Sequence, residues 1–78
     1  MTSTQALILF TRPQCHLCDV AADVLDGTEL NWSAVNIETE PALEAQYGLR
    51  VPVIRDPASG RELDYPFGVE DLERFLAQ

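Results

Sequence analysis

The chain sets its pattern with an unbroken apolar run, Ala6-Leu7-Ile8-Leu9-Phe10, closing on Thr11. A run of that length without polar alternation predicts a strand covered on both faces. Beyond Pro13, which breaks the run, Val20, Ala21, Val24 and Leu25 recur at helical spacing and predict a helix from near Cys15 to Leu25. Gly27 is expected to end that helix in the left-handed conformation. Leu30 to Ile37, carrying Trp32, Val35 and Ile37, reads as a second strand, with Trp32 as core or edge packing. Strand, helix, strand in that order implies a parallel pair joined by a right-handed crossover.

Thr39-Glu40-Pro41 carries the signals of a helix start. Ala42, Leu43, Ala45, Gln46 and Tyr47 make a short helix that Gly48 ends, and Val51 to Ile54 is a third strand. Asp56-Pro57-Ala58-Ser59-Gly60 is a turn by composition, so Arg61 to Asp64 should return antiparallel as a fourth strand. Leu72, Phe75 and Leu76 share one face of a last helix, Val69 to Ala77, while Met1 to Gln5 is polar and expected to fray. The predicted class is α/β, ordered βαβαββα, with a four-stranded mixed sheet and three helices.

Length and charge narrow the picture. The 78 residues allow one domain, 1–78, close to the lower size limit for a self-sufficient core, so nearly every apolar residue is expected inside. Thirteen acids against five basic residues, all arginine, give a formal charge of −8. Such a surface repels nucleic acid and anionic membrane, so neither is expected as a partner. No apolar run approaches the ~18–20 residues of a membrane span. The N-terminus lacks the basic region and apolar core of a signal peptide. Two cysteines three apart cannot staple distant parts of a secreted domain, and a cytoplasmic location is expected.

The chemistry sits in Cys15-His16-Leu17-Cys18, where the buried strand turns into the helix. C-x-x-C at such a junction is the usual sequence form of a redox site. Residues i and i+3 on a helix have Cβ atoms about 5–6 Å apart, near the separation a disulfide needs. Cys15, at the first turn, would face unpaired N–H groups and the positive end of the helix dipole, which favour thiolate. Cys18, a turn deeper beside Ala21 and Ala22, should be more protected. Cys15 is therefore expected to attack and Cys18 to resolve. His16, when charged, would favour the Cys15 thiolate; an exposed histidine without a role reads nearly as well. The pair could instead be half of a zinc site, but only His16 is at hand as a further soft ligand, so a metal would need a second subunit.

Thr11-Arg12-Pro13-Gln14-Cys15-His16-Leu17-Cys18 resembles the active-site segment of the glutaredoxin family of the thioredoxin fold, and in particular small bacterial glutaredoxin-like proteins with a C-H-L-C site. The similarity extends through Tyr47-Gly48-Leu49-Arg50-Val51-Pro52-Val53 and Pro66-Phe67-Gly68. It implies a thiol–disulfide oxidoreductase acting on protein or glutathione disulfides, with no cofactor or metal and glutathione as a possible co-substrate. A monomer is expected. Arg12 stands where glutaredoxins commonly carry a lysine, implying thiolate stabilisation or capture of a glutathione carboxylate. Val51-Pro52 stands at the position of a cis proline, whose preceding residue would offer free N–H and C=O groups to an extended substrate. Gly68, Glu70 and Asp71, at the start of the last helix, would receive a substrate carboxylate.

Two departures bear on glutathione. Arg50 replaces a threonine, and Phe67 replaces a glycine that leaves room for the carboxylate. These predict weak glutathione turnover, raised by Phe67→Gly. Tyr65 and Phe67 are either a binding lip or packing over the sheet end. The alternatives to an enzyme are a binding module that keeps the fold without turnover and a dimer bridged by metal through C-x-x-C pairs.

Overall fold

A computed structural model describes residues 6–77. Its elements are β1 (Ala6–Thr11), α1 (His16–Asp26), β2 (Asn31–Asn36), a 3-10 turn (Ile37–Thr39), α2 (Pro41–Tyr47), β3 (Val53–Arg55), β4 (Glu62–Asp64) and α3 (Val69–Ala77). The sheet order is β2-β1-β3-β4, with β1 parallel to β2 and antiparallel to β3, and β4 antiparallel to β3. This is the mixed four-stranded sheet with three helices that the pattern predicts.

The two-residue period of β1 divides the core. Leu7 and Leu9 point to one face, where they join Ala21 and Leu25 of α1, Ile54, Phe67, and Leu72 and Phe75 of α3. Ile8 and Phe10 point to the other, where Phe10 joins Ile37, Tyr47 of α2 and Val53. Register explains the division: Leu9 lies opposite Ile54, and Phe10 opposite Val53. Trp32, on the edge strand β2, is partly buried and packs against the first of these clusters, within the expectation of core or edge packing.

Three details differ from the sequence reading. Gly27 is not left-handed but helical, with φ −76°. The end of α1 is closed instead by Thr28, whose N–H and hydroxyl both reach the Leu25 carbonyl at 3.0 and 2.6 Å. Strand β3 starts at Val53, two residues later than expected, because Val51 and Pro52 form a turn ahead of it. Burial of apolar side chains is also incomplete: Leu49 is fully exposed, and Leu17 and Val69 are nearly half exposed. The expected fraying of Met1 to Gln5 falls outside the described residues. No helix among the described residues is long and apolar enough to cross a membrane.

Topology gathers the candidate residues at one end of the sheet. β1 ends at Thr11 and leads to Cys15; β3 begins opposite that end, since Val53 pairs with Phe10. β4 finishes there too, since Asp64 pairs with Val53, and hands over to Tyr65–Gly68 and the start of α3.

Candidate active site

Between β1 and α1 the chain turns sharply at Pro13 and Gln14, and Gln14 takes a left-handed φ of 59°. That conformation is uncommon for a residue with a side chain, and nothing in the local composition announces it. It delivers Cys15 to the N-cap of α1 in extended conformation, φ −113° and ψ 105°. The Cys18 N–H donates to Cys15 Sγ at 3.2 Å, so the sulfur takes the place of the usual oxygen cap. The Cys15 and Cys18 Cα atoms are 5.2 Å apart and the sulfurs are joined as a disulfide. Cys15 is half-buried and Cys18 only 4% exposed, so Cys18 is the more protected of the two, as expected. His16, the first residue of α1, is exposed, as is Leu17.

Arg12 has partners on another element. Its Nη2 reaches Glu44 Oε1 at 2.6 Å and the Gly48 carbonyl at 2.8 Å, and Nη1 lies 3.7 Å from Glu38. The guanidinium thereby ties the loop before Cys15 to the end of α2. Gly48 is where this closure needs the absence of a side chain. A Cβ there would lie 2.6 Å from both the carbonyl and the carboxylate of Glu44.

Arg50 is held likewise. Its Nε and Nη2 donate to the two Asp64 oxygens at 3.1 and 2.8 Å, and Nη2 also reaches Glu62 at 2.8 Å. The bonds to Asp64 and Glu62 drive its pKa further above the ordinary arginine range. Glu62 also accepts from the Tyr47 hydroxyl at 2.5 Å and from Arg55 at 3.0 Å. Burial pushes the Glu62 carboxyl up, but the bonds from Tyr47, Arg50 and Arg55 outweigh it and hold the group below its usual range. Burial, then the bond to Glu62, pushes the Tyr47 hydroxyl up. The Tyr47 ring stacks on Phe10 with centroids 4.1 Å apart, and the Arg50 guanidinium lies 5.3 Å from its centre.

The Val51–Pro52 bond is cis, and so is Tyr65–Pro66, which the sequence did not announce. The expectation of a free Val51 backbone is corrected: its N–H donates to the Tyr47 carbonyl at 3.1 Å. The turn that closes α2 uses that N–H, so it is not free for an extended segment. The Pro52 carbonyl accepts from Tyr65 N–H at 3.2 Å, tying this loop to the one that precedes α3.

At the start of α3, Gly68 is the cap, its carbonyl accepting from Leu72 N–H at 3.1 Å. Asp71 Oδ2 accepts the Gly68 N–H at 2.8 Å, a capping-box arrangement, and Asp71 Oδ1 accepts from Arg74 at 2.8 Å. Glu70 is exposed in the first turn. Phe67 is not an obstruction in a substrate cleft. Its ring is 7% exposed and packs with Leu7, Leu9 and Phe75 in the core, while Tyr65 meets it edge-on at 5.9 Å. A bulky apolar side chain next to a helix start follows the hydrophobic effect inward, which corrects the expectation that Phe67→Gly would open the site.

Among the described residues no group of three or more His, Cys, Asp or Glu side chains is placed to hold a metal ion. The side chains that sequence reasoning missed are Glu44, Tyr47 and Glu62. They hold the two loops flanking the cysteines, and their partners lie 32, 15 and 12 residues away.

Residues 6–77 match the family described as glutaredoxin-like domain (DUF836). Among solved structures, the chain is similar to the X-ray structure of structural-genomics target protein XcR50 from X. campestris. The two are 47% identical with a TM-score of 0.83, over 91% of this chain and 95% of that one. The solution structure of the same target matches at 47% identity and TM-score 0.76, over 92% of each chain. No curated protein matches the chain.

Proposed function

Starting from a chain that belongs to the glutaredoxin-like domain family, we propose that it is a thiol–disulfide oxidoreductase using Cys15 and Cys18. The observation that carries this reading is the position of Cys15. It caps α1 with a half-buried sulfur, within bonding reach of the buried Cys18. A sulfur at a helix N-terminus meets unpaired N–H groups and the positive dipole end, both of which favour the thiolate.

In the reduced protein the Cys15 thiolate attacks one sulfur of a substrate disulfide. The substrate S–S bond breaks, a Cys15–substrate mixed disulfide forms, and the leaving thiolate takes up a proton. Cys18 then loses its proton, and its thiolate attacks Cys15 Sγ. This forms the Cys15–Cys18 bond and releases the second substrate thiol. The substrate gains two electrons and two protons; the protein loses them and is restored by a thiol or dithiol reductant. His16, exposed and next to Cys15 in the chain, tunes the attacking sulfur, and Arg12 steadies the loop that presents it. Val51 and Pro52 line the substrate side through the Val51 carbonyl, with Gly68, Glu70 and Asp71 flanking the far side. The reading needs no cofactor or metal, and it puts the protein at work as a cytoplasmic monomer.

The test is trapping. Cys18→Ser, exposed to a disulfide peptide, should stall as a mixed disulfide on Cys15, visible as a mass adduct. Cys15→Ser should give little adduct, since its remaining thiol is buried. Adducts mainly on Cys18 would reverse the roles, and no adduct on either variant would favour a binding module instead.

A further inference from the structure

Among the described residues, two guanidiniums and one helix-start N–H at the end of the sheet that carries Cys15 could receive an anion, and each is already paired with one of the chain's own carboxylates. The Arg12 guanidinium is held by Glu44 at 2.6 Å. That of Arg50 is held by Asp64 and Glu62, both at 2.8 Å. The Gly68 N–H, at the start of α3, is held by Asp71 at 2.8 Å. Arg12, Glu44, Gly48, Leu49 and Arg50 line one open groove beside the loop that leads to Cys15. Leu49 stands fully exposed at its edge.

We infer that these internal carboxylates, Glu44 foremost, set the substrate class. The disulfide accepted is one in a polypeptide, flanked by cationic or neutral side chains, and carboxylate-rich small disulfides such as oxidised glutathione are turned away. The inference rests on the oxidoreductase reading above and specifies its substrate.

The physical argument is one of competition. An incoming carboxylate must either displace Glu44 from the Arg12 Nη2 or take another donor of the same guanidinium, and in both cases it lies close to the carboxylates of Glu44 and Glu38. An incoming lysine or arginine displaces nothing, because an ionised carboxylate has acceptor sites for more than one donor. The net charge of −8 acts in the same direction at longer range. Exposed Leu49 lines the same groove, where a polypeptide would cover it and a small thiol would not. Glu44 therefore acts on specificity through Arg12, as a positioning residue and not a catalytic one.

The experiment uses the full chain, reduced with dithiothreitol and freed of it. Two disulfide peptides of equal length, flanked by lysines or by glutamates, are compared with oxidised glutathione. The wild type should favour the lysine peptide in the second-order rate constant of this single turnover by about tenfold or more, equivalent to about 1.4 kcal/mol. Glu44→Gln should narrow that ratio at least about threefold by raising the rate on the glutamate peptide, and Glu44→Asp should restore it. A merely structural role would lower both rates together and leave the ratio alone. Equal rates on both peptides, fast use of oxidised glutathione by the wild type, or an unchanged ratio in Glu44→Gln overturns the inference while the oxidoreductase reading stands. If no disulfide of any charge reacts although both thiols titrate as free, the oxidoreductase reading falls and takes the inference with it.

Discussion

Glu62 is the side chain on which the polar contacts beside the site converge. It accepts from Tyr47, Arg50 and Arg55, and so joins β4 to the end of α2 and to the loop that carries Val51. Its folded pKa is lowered, so the stability it contributes is present above the unfolded value and is lost as the pH falls through the folded one. Glu62→Gln should therefore cost about 1–2 kcal/mol at neutral pH, the scale of hydrogen bonds to a charged group. In a domain of this size that is a Tm lower by roughly 5–10 °C. The gap should narrow once the pH falls below the ordinary glutamate value and close as it passes below the lowered folded one, where the wild type loses the same charge. Thermal unfolding across a pH series checks this, and a Tm offset unchanged between neutral and acid pH would refute it.

At the scale of elements, the question is what fixes α3 onto the sheet. The helix has one apolar face, and its start is anchored from two sides: Asp71 caps the Gly68 N–H, and Phe67 sinks into the cluster that holds Leu72 and Phe75. Deleting a buried aromatic ring typically costs about 3–5 kcal/mol. The total stability of a chain this short is of order 4–12 kcal/mol. Phe67→Ala should accordingly lose a large part of its stability in urea unfolding, with no gain in glutathione turnover. A loss under about 1 kcal/mol would mean that the ring is not an anchor of α3.

Across the whole molecule the net charge of −8 meets a topology that gathers Cys15, Val51 and the start of α3 at one end. A field of that sign steers substrates by charge, and salt removes the steering as the Debye length falls from about 30 Å at 0.01 M to about 8 Å at 0.15 M. Over that range kcat/KM for a lysine-flanked disulfide should fall, and that for a glutamate-flanked one should rise. Stopped-flow rates at graded ionic strength measure both slopes. Parallel slopes would show that charge does not steer the reaction.

What was legible in the sequence is what chain neighbours settle among themselves. The alternation of Leu7 and Leu9 with Ile8 and Phe10 already assigns two faces to β1, because the strand period is two. The bounds of α3 follow from Leu72, Phe75 and Leu76. The Cys15–Cys18 pair needs only one helical turn to bring its members together. Gln14 escaped notice because a left-handed residue without glycine leaves no mark in composition. The tertiary structure alone decided which groups are already partnered. Arg12 finds Glu44 across 32 positions and Tyr47 finds Glu62 across 15. The Val51 N–H is taken by the turn at Tyr47, and Phe67 turns into the core instead of the cleft. Periodicity reports only which face a residue occupies. Polar partners depend on which residues the crossovers and hairpins set opposite one another, and the sheet order β2-β1-β3-β4 had to form before that was determined.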